Sequence, residues 1–132
     1  MRIMLDTNVI ISMIFFPRKH FSQLLNYITQ YHELVLSSFV TEELIAVAQT
    51  KFPQKRCAVE QFLTNLNYDL VPTPHQMETG LFEIRDLNDY PILYTAIKEN
   101  IDILITGDRD FADVIIKKPL ILTPAEFIAK YL

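Results

Sequence analysis

The stretch Ile103-Leu104-Ile105-Thr106-Gly107-Asp108-Arg109-Asp110 is a short apolar run that ends in two acids. A run of apolar residues with a glycine just beyond it is typical of a buried strand followed by a turn. The two acids stand two residues apart, at the point where the predicted strand ends. The pattern therefore indicates a parallel strand that carries polar chemistry at its carboxyl end.

Acids follow apolar segments elsewhere in the chain as well. Asp6 directly follows Ile3-Met4-Leu5, Glu43 comes shortly after Leu34-Val35-Leu36, and Asp89 opens an apolar helical pattern. Because the carboxyl ends of neighbouring parallel strands meet at one edge of a sheet, we expect these acids to join the two acids of the first stretch. Crowded carboxylates repel one another, and a hard cation relieves that repulsion. The sequence therefore predicts a site for Mg²⁺ or Mn²⁺.

The alternation of strand and helix patterns predicts an α/β fold with a mostly parallel sheet. Helical patterns separate the strands, and the ambiguous stretch from His75 to Ile84 is predicted to be helical. Thr123 and Glu126 form a predicted capping box with Pro124 at the first helical position. Five strands are predicted: Arg2–Leu5, Glu33–Leu36, Asp69–Val71, Asp102–Thr106 and Leu120–Leu122.

Length and composition predict one domain over residues 1–132, since half of the residues are apolar and one core suffices. The single cysteine, Cys57, excludes a disulfide framework and is predicted to be inert core. An acid follows only three apolar residues at the start of the chain, so we expect no signal peptide or membrane span there. We therefore expect a cytoplasmic protein.

Net charge and glycine content narrow the function classes. The net charge is −4, but five of the 16 acids belong to the predicted site, so 11 remain against 12 bases. The acidic balance therefore neither favours nor excludes a nucleic-acid partner. Only Gly80 and Gly107 occur, which excludes the glycine-rich phosphate loops. His20, His32 and His75 have no metal-ligand spacing.

Each acid also has a structural interpretation. Asp6 can simply cap the helix after it, and either Asp86 or Asp89 can cap the next predicted helix. Glu43 lies on the flank of an apolar helical stripe, where a carboxylate needs a cation or a hydrogen-bond donor. Asp108 and Asp110 can serve as ordinary turn residues. The conjunction of these acids carries the prediction.

The order and spacing of these segments resemble the PIN domain family, which includes the VapC-type toxins of toxin–antitoxin pairs. Met4–Ser12 is similar to the family's first motif, and Ser37 through Leu44 resembles the second. Asp89 stands seven residues before Ala96, as the third acid of the family does. Ile105–Phe111 matches the fourth motif, and the ending Ile121–Phe127 is similar to that of one toxin subgroup.

The resemblance implies a three-layer α/β/α sandwich around a mostly parallel sheet, and a metal site with named ligands. The four characteristic acids of the family fall on Asp6, Glu43, Asp89 and Asp108, as catalytic residues and metal ligands, with Asp110 as a further ligand. Asn8 and Thr106 would support and orient them. Arg18, Lys19 and Arg109 would contact the RNA backbone. Whether Asp86 also contacts metal stays open, and Asn88 stands where family members often carry lysine.

The activity implied by the resemblance is an endoribonuclease that hydrolyses phosphodiester bonds with one or two Mg²⁺ or Mn²⁺ ions. The chain would be the toxin of a type II toxin–antitoxin pair, inhibited by a small antitoxin protein and forming a homodimer, with no membrane association. Ile14, Phe15 and Phe16 would lie at a partner groove or dimer surface, or else in the core.

Two interpretations without catalysis stay open. One is a receiver-like module whose acids hold Mg²⁺; it needs a lysine after a late strand, which this chain lacks directly after Leu120-Ile121-Leu122. The other is a toxin-like fold that serves only as a partner-binding subunit.

Overall fold

The computed structural model describes all 132 residues, in which five strands alternate with six helices. The bounds are β1 (Arg2–Leu5), α1 (Thr7–Phe15), α2 (Lys19–Tyr31), β2 (Glu33–Ser37), α3 (Ser38–Lys51), α4 (Arg56–Asn65), β3 (Asp69–Val71), α5 (Tyr90–Lys98), β4 (Ile103–Ile105), β5 (Leu120–Leu122) and α6 (Pro124–Tyr131). None of these helices combines the length and apolar character that crossing a bilayer requires.

The five strands form one parallel sheet in the order β3-β2-β1-β4-β5. Strand β1 lies at its centre, where Met4 is in register with Val35 of β2 and with Leu104 of β4. Successive residues of a strand point to opposite faces, yet Ile3, Met4 and Leu5 are all fully buried. Both faces of the sheet are therefore covered by helices, and the predicted three-layer α/β/α fold is confirmed.

Helices begin where the sequence places capping side chains. Ser37 Oγ accepts a hydrogen bond from the backbone N–H of Val40 at 3.2 Å at the start of α3. Thr123 Oγ1 accepts from the N–H of Glu126 at 3.1 Å, and Glu126 Oε1 accepts from the N–H of Thr123 at 3.0 Å. These bonds satisfy N–H groups that have no partner inside a helix. The predicted capping box at α6 is confirmed.

The helix predicted between His75 and Ile84 is wrong, because the chain from β3 to α5 contains no α-helix. Gly80 adopts a φ of +82°, a left-handed conformation that interrupts a helix. Side chains of α5 also form hydrogen bonds with backbone groups of this segment, in place of bonds within a helix. Tyr94 Oη accepts from the N–H of Glu78 at 3.2 Å, and Tyr90 Oη donates to the carbonyl of Glu78.

Cys57 is exposed, so the prediction that it belongs to the core is wrong. The helix α4 directs Val59 into the core, with Phe62 and Leu63 packed partly against it. Cys57 lies on the other side of the helix. Pro53 begins a single turn of 3-10 helix that precedes α4.

The core depends on large apolar side chains that the helices place against the sheet. Phe127 of α6 is fully buried, with its ring centroid 4.7 Å from that of Tyr131. Phe127→Ala is expected to lower the free energy of unfolding by about 3–5 kcal/mol, because it removes buried contacts and leaves a cavity. Urea unfolding measures the change. Phe16→Ala is the matched control, since Phe16 is 63% exposed and its loss should change that free energy by less than about 0.5 kcal/mol. Equal effects of the two substitutions would contradict this description of the core.

Candidate functional site

Asp6 lies at the carboxyl end of the central strand and is only 2% exposed. Its backbone N–H donates to the carbonyl of Ile105 at 3.0 Å, which ties the ends of β1 and β4 together. Its Oδ1 accepts from the N–H of Thr7 at 2.7 Å, and its Oδ2 accepts from Thr106 Oγ1 at 2.7 Å. Asp6 therefore caps α1 and also points into a buried polar site.

Thr106 connects the two acids that follow β1 and β4. Its buried hydroxyl donates to Asp6 and accepts from the backbone N–H of Asp108 at 3.0 Å. A hydroxyl can make both bonds at once because it carries one proton and two lone pairs. Thr106 therefore fixes the position of Asp6 relative to the turn that begins at Asp108.

The turn after β4 brings Asp108 and Asp110 to the same edge of the sheet. Asp108 Oδ1 accepts from the N–H of Asp110 at 2.9 Å at the start of a 3-10 turn. Both acids are half-buried, and Arg109 between them is exposed and takes part in no ion pair.

Asp86 and Asp89 lie before α5 and differ in their hydrogen bonds. Asp86 Oδ1 accepts from the N–H of Asn88 at 2.9 Å, so Asp86 caps the turn. Asp89 makes no capping bond, and its buried Oδ2 has no hydrogen-bond partner. Oxygens of Asp86, Asp89 and Asp110 lie within 4.8 Å of one another. The sequence allowed either Asp86 or Asp89 to be the capping residue. In the structure Asp86 caps the turn, and Asp89 belongs to the acidic group.

Burial and mutual repulsion set the electrostatics of the cluster. Burial raises the pKa of Asp6, hydrogen bonds from Thr106 and Thr7 oppose that rise, and the charges of Glu43 and Asp108 add to it. Burial, followed by the charge of Asp108, raises the pKa of Asp89 to about 7. The site therefore disfavours the full set of ionised acids.

The predicted acids form two overlapping groups. Glu43 of α3 is half-buried, and its charge acts on Asp6. The charges of Asp6, Asp86 and Asp108 all act on Asp89. Charge interactions link Asp6, Glu43, Asp89 and Asp108 as an inner group, whereas the oxygens that lie close enough together to hold one metal ion belong to an outer group, Asp86, Asp89 and Asp110.

The other polar residues of the prediction lie at the surface. Asn8 is exposed in the first turn of α1, and its side chain makes no hydrogen bond to an acid. Arg18 and Lys19 are exposed at the start of α2, in no ion pair. Of the three predicted basic contacts, Arg109 alone stands between two acids of the cluster.

Comparison with known proteins identifies the family. The PIN domain family model matches residues 3–117, so this chain belongs to the PIN domain family. Family membership together with the acidic cluster supports nuclease activity.

Solved structures with the same fold include two toxin–antitoxin complexes. VapBC2 from Rickettsia felis, bound to a DNA fragment from its promoter, has a TM-score of 0.71 at 24% identity, over 92% of this chain and 97% of that chain. VapBC-1 from nontypeable Haemophilus influenzae has a TM-score of 0.66 at 24% identity, over 95% and 99%. The PIN domain endonuclease Utp24 has a TM-score of 0.55 at 15% identity, over 84% and 74%. Identities this low show the shared fold alone.

A curated relative is much longer than this chain. The serine/threonine-protein kinase PRR1 of Saccharomyces cerevisiae is 30% identical over 102 residues, which is 76% of this chain but 20% of the kinase. The chain thus spans about a fifth of that protein. The two glycines of this chain, Gly80 and Gly107, do not form the glycine-rich loop that covers ATP phosphates in protein kinases.

The raised pKa of Asp89 makes the stability of the metal-free protein depend on pH. An unfolded aspartate has a pKa of 3.8, so the folded chain holds this proton more tightly, up to a pH of about 7. The stability that the proton provides is complete below the unfolded pKa and is lost as pH rises towards 7. In EDTA, Asp89→Asn should therefore become more stable relative to wild type between pH 4 and pH 7.

Urea unfolding at several pH values measures this difference. Asp113→Asn is the control, since Asp113 is exposed and paired with Arg85. A difference between Asp89→Asn and wild type that stays constant over this range would show that the cluster does not strain the fold.

Proposed function

We propose that the chain is a metal-dependent endoribonuclease whose active site is the acidic cluster. The observation that carries the proposal is the hydrogen-bonded arrangement of Asp6, Thr106 and Asp108, with Asp89 beside them, in a chain of the PIN domain family. Acids this close cost stability through repulsion, and a cation site is a physical reason to retain them.

The residues present fit a divalent cation. The cluster offers only carboxylate oxygens, the ligands that hard cations such as Mg²⁺ and Mn²⁺ prefer. The buried Oδ2 of Asp89 accepts no hydrogen bond and is available as a ligand atom. In the proposal Asp6, Glu43, Asp89 and Asp108 hold the cation, and Asp110 joins them where a second one binds. Asp86 lies close enough to contribute on that outer side.

A bound divalent cation would activate a water molecule for attack on phosphorus and stabilise charge on the leaving oxygen. The chain supplies the rigid frame for that chemistry. Thr106 holds Asp6 in one rotamer through the 2.7 Å hydrogen bond, and Asp108 restrains the turn through the N–H of Asp110. Asp89 would hold the cation as a carboxylate, without its proton, because a neutral carboxyl is a poor ligand.

The proposed substrate is single-stranded RNA. Asp6 and Asp108 follow parallel strands and are buried and half-buried, respectively, so the scissile phosphate has to reach into the edge of the sheet. An unstacked segment can present a phosphate in this way more readily than a duplex can. In the proposal Arg109 contacts the RNA backbone there, and Arg18 with Lys19 contact it further along the strand.

We also propose that the chain is the toxin of a type II toxin–antitoxin pair, because it has the fold of the VapBC complexes. In this proposal a small antitoxin protein covers the site, and the chain forms a homodimer. Apolar side chains at the surface, Phe16, Leu87 and Ile115 among them, could take part in such contacts. Phe15, in contrast, packs on Phe52 with ring centroids 4.8 Å apart.

The receiver-like alternative does not agree with the topology. Receiver domains have the strand order 2-1-3-4-5, with β1 between β2 and β3. In this chain β1 lies between β2 and β4. The remaining alternative is a partner-binding subunit without catalysis, which has the same fold and the same cluster.

Cleavage of a mixed-sequence RNA tests the proposed activity. Wild type should cut the RNA with Mg²⁺ or Mn²⁺ and not in EDTA. Asp6→Asn should lower the rate by more than about 100-fold, because it removes a charge from the centre of the metal site. Asp113→Asn removes an exposed acid outside the cluster and should leave the rate unchanged. A folded wild type that binds metal without cutting any RNA would favour the partner-binding subunit.

Thr106 provides a second test that keeps every carboxylate in place. Thr106→Val preserves the shape of the side chain but removes the hydroxyl that holds Asp6, and should lower metal affinity or cleavage by about 10- to 100-fold. Thr106→Ser restores the hydroxyl and should recover most of the loss. If valine and serine have the same effect, the hydrogen bond to Asp6 does not contribute.

A further inference from the structure

A cavity of about 410 Å³ lies beside the acidic cluster, at the open edge of the sheet. We call it the β5 cavity. Its walls are the carboxyl end of β5, the first turn of α6 and the loop from Gly107 to Pro119. Its volume falls within the range of roughly 300–1,000 Å³ that small-ligand sites occupy. The sequence contained no indication of this cavity.

The β5 cavity is continuous with the acidic site. Thr106 and Asp108 line it, and the same two residues position the cluster through the bonds to Asp6 and within the turn. A molecule in the cavity therefore lies directly beside the carboxylate of Asp108. The loop that forms the wall is ordered by its own hydrogen bonds, from the N–H of Ala112 to the carbonyl of Arg109 at 3.0 Å and from that of Val114 to Phe111 at 3.3 Å.

Two basic side chains in the wall have no acidic partner. Arg109 and Lys117 line the cavity, are exposed and form no ion pair. Two other bases are neutralised, since Arg85 pairs with Asp113 of the same loop and Lys118, next to Lys117, lies 3.1 Å from Asp102. The positive charge of Arg109 and Lys117 is thus available to an anion that enters the cavity.

The remaining wall suits a flat ring with polar edges. Val114 and Ile116 offer half-buried apolar surface, and Leu120 is partly exposed there. Glu126 Oε1 is held by the N–H of Thr123, while its Oε2 accepts no hydrogen bond and can accept one from a ring N–H. Cations for phosphate, apolar walls and a fixed acceptor together describe a nucleotide rather than an apolar ligand.

We propose that the β5 cavity binds one unpaired nucleotide of the RNA, adjacent to the bond that is cut, with Lys117 and Arg109 on its phosphate. This proposal rests on the proposed ribonuclease function. It adds Lys117 to the RNA-binding residues and assigns the choice of cleavage position to the residues around Val114, Ile116 and Glu126.

Binding without cleavage tests the role of Lys117. The parent protein is Asp89→Asn, and the probe is a fluorescein-labelled single-stranded oligoribonucleotide of mixed sequence, titrated at several salt concentrations. Adding Lys117→Met removes one phosphate contact, so the slope of the logarithm of the association constant against log salt should become less negative by about 0.7. If the variant and the parent bind equally well at 1 M salt, the variant should bind about fivefold more weakly than the parent at 0.1 M salt. Lys130→Met is the control, since Lys130 is exposed, unpaired and outside the cavity.

Filling the cavity tests the same proposal without changing charge. Ala112 lines the cavity but is itself exposed, so Ala112→Phe can fill the space without disturbing the core. It should weaken binding of the oligoribonucleotide by about fivefold or more, the lower limit for one base contact. In the otherwise wild-type enzyme it should also move the preferred cleavage positions. Ala58→Phe, at an exposed position on α4, is the matched control.

The outcomes separate the two proposals. If the parent binds RNA and wild type cuts it, but Lys117→Met and Ala112→Phe behave like their controls, the cavity proposal is wrong and the nuclease proposal stands. If the parent binds no RNA and wild type cuts none, both are wrong. Weaker binding by both variants, with circular dichroism spectra like that of the parent, supports the cavity as the nucleotide site.

Discussion

The hydrogen bond from Thr106 Oγ1 to Asp6 Oδ2 is the interaction on which the rest of the site depends. It joins the ends of the two central strands and holds a carboxylate that is almost fully buried. The parallel sheet makes this bond possible, because parallel strands deliver their following residues to one edge. From this contact the site extends to Asp108 through the same hydroxyl and to Asp89 through electrostatic repulsion.

The cost of this arrangement explains its chemistry. Desolvation raises the pKa of Asp6 and Asp89, and each neighbouring charge raises it further. A protein that gained nothing from the cluster would be more stable with amides at these positions. In the proposed nuclease a divalent cation offsets the repulsion, and binding of the cation and stability of the fold are then coupled. The β5 cavity, with Arg109 and Lys117 in its wall, places positive charge on the substrate side of the same edge.

The sequence contained enough information for the sheet and for the cluster. Short apolar runs such as Ile3–Leu5 and Ile103–Ile105 are stable as strands that are covered on both faces. The acids that come directly after these strands therefore lie at the edge of the sheet. The conformation of the long connection before α5 could not be predicted from the sequence. Its hydrogen bonds come from Tyr90 and Tyr94, which lie more than ten residues further along the chain. Nor did the sequence distinguish Asp86 from Asp89, since the choice of cap depends on the backbone angles of the turn. Cys57 was misplaced because an apolar pattern alone does not show which face of α4 meets the core.

The most direct test of the central claim is calorimetric titration of Mn²⁺ into metal-free wild type and Asp6→Asn at pH 7, in two buffers with different heats of ionisation. The account predicts that wild type binds Mn²⁺ and releases protons on binding, because Asp89, with a pKa of about 7, is partly protonated at this pH. Asp6→Asn should bind much more weakly. Absence of binding by wild type, or equal affinity in the variant, would contradict the claim that these acids form a cation site.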